Sequence, residues 1–265
     1  MTTPAVFDVT GKCILVTGAG RGIGKGIAQV LAEAGADVAI NALTNKYVTP
    51  LAEGLAASTG RKVVAVTGDV TTADGAQGVI DAAIEKLGRV DVLINALGDS
   101  IRKPLVGLPG TETAGQQISE ADRRFIVEIN LTEALMCTRA VGPHMLARRT
   151  GKVINISSFT AQSRGADLVL YPAGQAALPG FTRTQALEWA PHRLPVNAIA
   201  PGMFPDPVTS GEDAVTATKE RAKTVVPLGR VGELKEVGYL ALYLSAAASD
   251  YMTGQTLIID GGVCL

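Results

Sequence analysis

Seven short apolar runs recur along this 265-residue chain, each separated from the next by a stretch of helical periodicity. They are KCILVTG (12–18), DVAIN (37–41), VVAVTGDV (63–70), VDVLINALG (90–98), GKVINISS (151–158), PVNAIAPG (195–202) and QTLIIDGG (255–262). Segments such as GIAQVLAEAG, AAIEKLG and FTRTQALEWA lie between them. Strands without polar alternation have no face for water, and strands interleaved with helices pair in parallel through crossovers. Right-handed crossovers then wind helices onto both faces. The chain therefore predicts an α/β fold: a doubly wound parallel sheet of about seven strands. No repeat, linker or composition break divides residues 1–265, which are expected to form one domain.

The chain is 47% hydrophobic and 18% charged, the balance of an ordinary core, and its net charge is −1. That leaves no basic field for nucleic acid or an anionic membrane surface, so both are discounted as partners. MTTPAVFDVTGK has neither the basic start nor the apolar stretch of a secretory signal, and no run approaches the ~20 apolar residues of a membrane span. Cys13, Cys137 and Cys264 are far apart and form no CxxC, as expected of small core residues in a reducing cytoplasm. His144 and His192 have no partner at metal-ligand spacing, so no catalytic metal is expected.

The first run leads directly into TGAGRGIG (17–24), which opens the first helical segment. Gly18, Gly22 and Gly24 permit a tight turn and a close backbone approach to a diphosphate. The helix start offers free N–H groups and a positive dipole end to the phosphates. An acidic residue closing the second strand would select NAD by holding a ribose hydroxyl. Here that stretch is Asn41, Ala42, Leu43 and Thr44. With no carboxylate, and with Arg21 and Lys46 nearby, the 2′-phosphate of NADP(H) is favoured, while NAD(H) stays open. Lys46 reads equally well as a solvated surface charge. Two irregular segments, 106–117 and 201–213, follow strand C-terminal ends, where ligands bind in open α/β sheets.

Residues 157–175, SSFTAQSRGADLVLYPAGQ, closely resemble the active-site segment of the short-chain dehydrogenase/reductase family. Ser158 and Tyr171 stand where that family has its serine and tyrosine, but Gln175 replaces its lysine. The glycine turn has the family's Gly-x-x-x-Gly-x-Gly spacing, with Ile23 between Gly22 and Gly24. Asp69 and Val70 match the segment after strand three that contacts adenine. Asn95 and Gly98 match the family's NNAG, from which Ala96 and Leu97 depart. Asn130 matches the asparagine of its catalytic tetrad, and Pro201 and Gly202 match the turn beside the nicotinamide. Asp206 replaces a threonine that bonds the carboxamide. The likeness runs from about residue 10 to 262. It implies a Rossmann-like fold, a nicotinamide cofactor, a small carbonyl or alcohol substrate, 3-oxoacyl-thioester reductases among close relatives, and assembly as a homodimer or homotetramer.

By that resemblance Tyr171 is the general acid/base and Ser158 the donor that polarises the carbonyl. The family's lysine bonds the nicotinamide ribose and lowers the tyrosine pKa. Gln175 retains only the hydrogen-bonding capacity. A cation ~4.5 Å from a phenol, at an effective dielectric of ~20, is worth roughly 4 kcal/mol, close to three pKa units. Its loss predicts a slow enzyme with an alkaline-shifted pH profile. The alternative is a nicotinamide-nucleotide-binding scaffold or redox sensor with impaired catalysis. Phe159, Leu168, Leu170, Met203 and Phe204 flank the site motifs and suggest an apolar pocket, though ordinary packing explains them equally well.

Overall fold

The computed structural model describes residues 4–107, 109–110, 116–161 and 168–265. Its seven strands are β1 (Cys13–Val16), β2 (Asp37–Ala42), β3 (Val63–Thr67), β4 (Val92–Asn95), β5 (Lys152–Ile156), β6 (Val196–Pro201) and β7 (Thr256–Ile259). They form one parallel sheet in the order β3-β2-β1-β4-β5-β6-β7. The chain winds outward from β1 to β3, then returns to lay β4 on the other side of β1. That reversal opens a crevice beyond the C-terminal ends of β1 and β4.

Strand alternation distributes the core between two faces. Ile14, Val16, Val92 and Ile94 point to one side. There they meet Ile27 and Leu31 of α1 (Gly22–Glu33), Val48 and Leu55 of α2 (Asn45–Thr59), and Val237 and Leu244 of α9 (Leu234–Ser245). Leu15 and Leu93 point to the other side. Their neighbours are Val79 and Ile80 of α3 (Ala73–Leu87), Val141 and Met145 of α5 (Glu133–Arg148), and Trp189 of α6 (Leu170–Trp189). Burial on both faces is what the unbroken apolar runs require.

Three further helices, α4 (Glu120–Val127), α7 (Pro207–Ser210) and α8 (Glu212–Val225), stand beside the C-terminal edge loops or follow them. A capping box starts α4: the Ser119 hydroxyl accepts from Asp122 N–H, and the Asp122 carboxylate accepts from Ser119 N–H. Lys103 also bridges to that carboxylate at 2.7 Å, tying the loop after β4 to the helix. Between α4 and α5, residues Glu128–Thr132 form a π-helical turn.

The strands are shorter than the apolar runs. Residues 96–98, 157–158 and 202 have left the sheet, and they supply the loop backbone around the crevice. Among the described helices none is long and apolar enough to cross a membrane.

Leu93 is fully buried on a central strand. Leu93→Ala is expected to lower stability by about 3 kcal/mol, from lost transfer energy plus the remaining cavity. Denaturant unfolding monitored at the protein's single tryptophan checks this; a loss under about 1 kcal/mol would contradict the packing described.

Candidate active site

The glycine turn is pressed against the loop that leaves β4. Gly18 has φ +59°, and a Cβ there would lie 2.7 Å from the Leu97 Cα. Gly22, at φ +58°, opens α1 and leaves bare backbone facing the crevice. Arg21 and Lys46 both approach the Tyr47 ring, at 5.8 Å and 5.0 Å from its centre, so two cations gather near the end of β2. The crevice is a cleft of about 340 Å³.

Asp206 reaches across this cleft. Its buried carboxylate accepts from Gly22 N–H at 3.0 Å and from the Thr209 hydroxyl at 2.9 Å. An anion thus caps the first turn of α1, where the helix dipole is positive.

At the other end of the cleft Gln175 is 2% exposed. Its Nε2 donates to Asn130 Oδ1 at 2.9 Å, and its Oε1 is buried without a protein partner. Asn130 sits on the π turn and is buried. Asn130 Nδ2 donates to the Asp99 carbonyl at 2.8 Å and the Ile126 carbonyl at 2.9 Å. Asp99 N–H donates back to Asn130 Oδ1 at 3.3 Å. Ser157 completes the anchorage, its hydroxyl donating to the Gln175 main-chain carbonyl at 2.9 Å. The loop after β4, the π turn and α6 are thereby locked together around one amide.

Tyr171 lies one helical turn before Gln175 and lines the same cleft. Burial holds its phenol above the ordinary value; the Ser158 hydroxyl pulls it down and the Asp99 carboxylate pushes it up. Ser158 is buried and accepts from Thr160 N–H at 3.2 Å and from the Thr160 hydroxyl at 2.9 Å. Among the described residues no lysine enters the cleft. Lys152 is at the opposite end of the sheet, with its ammonium on the Ala246 carbonyl, the Ser249 hydroxyl and Asp250 at 2.6, 2.9 and 2.7 Å.

One buried carboxyl supports the floor. Thr17, just past β1, donates its hydroxyl to Glu133 and accepts from Ala96 N–H at 3.0 Å. Desolvation pushes the Glu133 carboxyl up to about 8.

A family profile described as "Enoyl-(Acyl carrier protein) reductase" matches residues 18–264. The 3-oxoacyl-[acyl-carrier-protein] reductase FabG of Thermotoga maritima is 33% identical over 258 residues, covering 96% of this chain and 98% of its own. The gluconate 5-dehydrogenase of Gluconobacter oxydans is 33% identical, covering 99% and 98%. Among solved structures, the gluconate 5-dehydrogenase of Burkholderia cenocepacia in complex with NADP and tartrate has a TM-score of 0.87 at 31% identity, covering 98% of this chain and 97% of that one. The chain belongs to the short-chain dehydrogenase/reductase family. It is an oxidoreductase with the family's parallel sheet.

Of the residues singled out from sequence, Gly18, Arg21, Gly22, Ile23, Gly24, Gly98, Tyr171 and Gln175 line the cleft, and Asn130 and Ser158 stand directly behind it. Asn95 faces the interior, donating to Thr138 and Asn155. Asp69 is exposed and accepts from Thr71, while Val70 is buried in the core. Pro201 ends β6, and Gly202 packs against Asp260. Asn41 ties β2 to the end of β3 by donating to the Val66 and Gly68 carbonyls. Phe204 reaches the cleft; with Met203 it also lines a separate small cavity that Arg230, Glu236 and Asp260 share. Residues 108 and 111–115 of the 106–117 segment lie outside the described residues, so its expected ligand role does too. Sequence reasoning missed Asp99 and Glu133. Asp99 directly follows the matched Gly98 and could have been noticed there, whereas no local signal marks Glu133.

Glu133 generates a stability prediction. The folded state keeps its proton up to about pH 8, whereas an unfolded glutamate releases it near pH 4.3. Across that window the folded state binds more protons, so this group's stability contribution falls as pH rises. Glu133→Gln, which has no proton to lose, is expected to gain about 3 kcal/mol relative to wild type between pH 5 and pH 8. Denaturant unfolding at both values checks this; parallel stabilities would contradict it.

Proposed function

We propose that the protein is an NADP(H)-dependent reductase or dehydrogenase of small carbonyl/alcohol pairs. Tyr171 exchanges the proton with the substrate oxygen, and Ser158 holds that oxygen by a hydrogen bond. The carrying observation is the convergence of Tyr171, Ser158, Asn130 and Gln175 at the end of a cleft whose other end is a glycine turn on a helix N-terminus. The unpartnered Oε1 of Gln175 suits a ligand bearing ribose hydroxyls, and at the glycine turn a phosphate would take the place of the Asp206 carboxylate on Gly22 N–H. NADP in the solved relative, together with Arg21 and Lys46 beside Tyr47, supports the phosphorylated form; NAD(H) is the secondary choice. Bound there, the cofactor supplies or accepts the hydride. Cytoplasmic location and a homodimeric or homotetrameric assembly belong to the same proposal.

The residues divide the remaining work. The Ser158 hydroxyl fixes the substrate oxygen near the phenol, and burial of both strengthens those bonds. Tyr171, held neutral by burial and by Asp99, is in the proton-donating form at neutral pH. Taking up a proton in the reverse direction requires a phenolate that this environment disfavours. The overall equilibrium at any pH is unaffected, so both directions slow together. Asn130 and Gln175 keep α6 in register with the loop after β4, and Gln175 Oε1 is free to accept from a ribose hydroxyl.

Two variants test this reading, using substrates of the kinds named for the relatives: a sugar acid and a 3-oxoacyl thioester. Tyr171→Phe is expected to lower turnover at least a hundredfold while leaving NADP(H) affinity within a few-fold. Indifference to the change would favour the scaffold or sensor. Gln175→Lys is expected to raise kcat at neutral pH by at least tenfold and move the pH optimum downward. No gain at neutral pH would contradict a phenol limited by the missing cation.

A further inference from the structure

We propose that the cleft discriminates between the redox states of its cofactor, holding the oxidised, cationic nicotinamide ring more tightly than the reduced, neutral one, with Asp99 setting the preference. This rests on the reading of the cleft as a nicotinamide site.

The two forms of the cofactor differ at the ring by one positive charge and otherwise carry the same phosphates and sugars. Groups beside the phosphates therefore act almost equally on both. Arg21 belongs to that set, and so does Asp206, whose carboxylate sits on Gly22 N–H at the glycine turn rather than at the carboxamide position its match implied. Discrimination falls to the end occupied by Tyr171, where the Asp99 carboxylate and the Gln175 side-chain oxygen present negative ends. The Asp99 carboxylate lines the cleft there and is close enough to raise the Tyr171 phenol. The buried Gln175 turns its amide nitrogen to Asn130, which leaves the carbonyl oxygen as its unpartnered end. Among the described residues no cation lines that end.

Asp99 is held firmly. Its peptide N–H and carbonyl both bond Asn130, and its carboxylate accepts from Ser100 N–H at 2.7 Å. A charge held in place needs little reorganisation to favour a cation, so what solvent leaves of its effect appears in the difference between the two affinities. Asp99 is exposed, so solvent screening reduces that effect to about fivefold rather than the larger factor of a dry site.

Isothermal titration calorimetry with NADP⁺ and with NADPH at neutral pH tests this on wild type, Asp99→Asn and Gln175→Lys. Asparagine can still accept from Ser100 N–H, so the loop survives the change. The ratio Kd(NADPH)/Kd(NADP⁺) is expected to exceed one in wild type, to fall about fivefold in Asp99→Asn, and to fall more than tenfold in Gln175→Lys. With both forms bound, a wild-type ratio at or below one, or a ratio that Asp99→Asn leaves unchanged, would overturn the inference and leave the cofactor reading standing. Failure of wild type to bind either form would overturn that reading, and the inference with it.

Discussion

The hydrogen bond from the Gln175 amide to Asn130 organises the functional half of this molecule. It joins α6, which carries Tyr171, to the π turn between α4 and α5, and through Asn130 to the loop after β4. An amide can satisfy this geometry as well as an ammonium would, but it contributes no charge. Among the described residues no lysine lines this cleft, so the amide sits there without a neighbouring ammonium. Burial first, and then the Asp99 carboxylate, hold the Tyr171 phenol above its ordinary value.

Two carboxylates add negative potential to the cleft. Asp99 places a carboxylate beside the phenol, and Asp206 places another on the first N–H of α1. That N–H is one of the few donors a helix start offers to a diphosphate. Two anions in a cleft meant for an anionic cofactor cost affinity, yet at the nicotinamide end the same sign of charge suits an oxidised ring. Glu133, kept protonated beneath Thr17, adds no charge to the floor at neutral pH. Its retention in the core holds the backbone of the glycine turn against the loop at Ala96.

Much of this was legible in the residues. Unbroken apolar runs required a sheet buried on both faces, and the seven strands occupy those runs. The glycine turn, Ser158, Tyr171 and Gln175 were readable because each sits at a fixed step from a strand end or from another motif. What escaped depends on contacts between distant segments. Nothing local tells that Asp206 meets Gly22, 184 residues away in sequence, or that Glu133 lies under Thr17, 116 away. Asn95 shows the converse: it matched a family motif by position, yet its side chain serves the interior by bonding Asn155 and Thr138. Strand ends were overestimated because apolar residues continue into the loops that wall the cleft.

The electrical account of the site is tested most directly by titrating the Tyr171 phenol itself. Carbon-13 labelling at the tyrosine ring, with the resonance assigned by its absence in Tyr171→Phe, gives that titration by NMR on the intact protein. The account predicts a midpoint above the ordinary tyrosine value of about 10. A midpoint well below that value would contradict it, because a cation other than the missing lysine would then have to be supplying the positive potential.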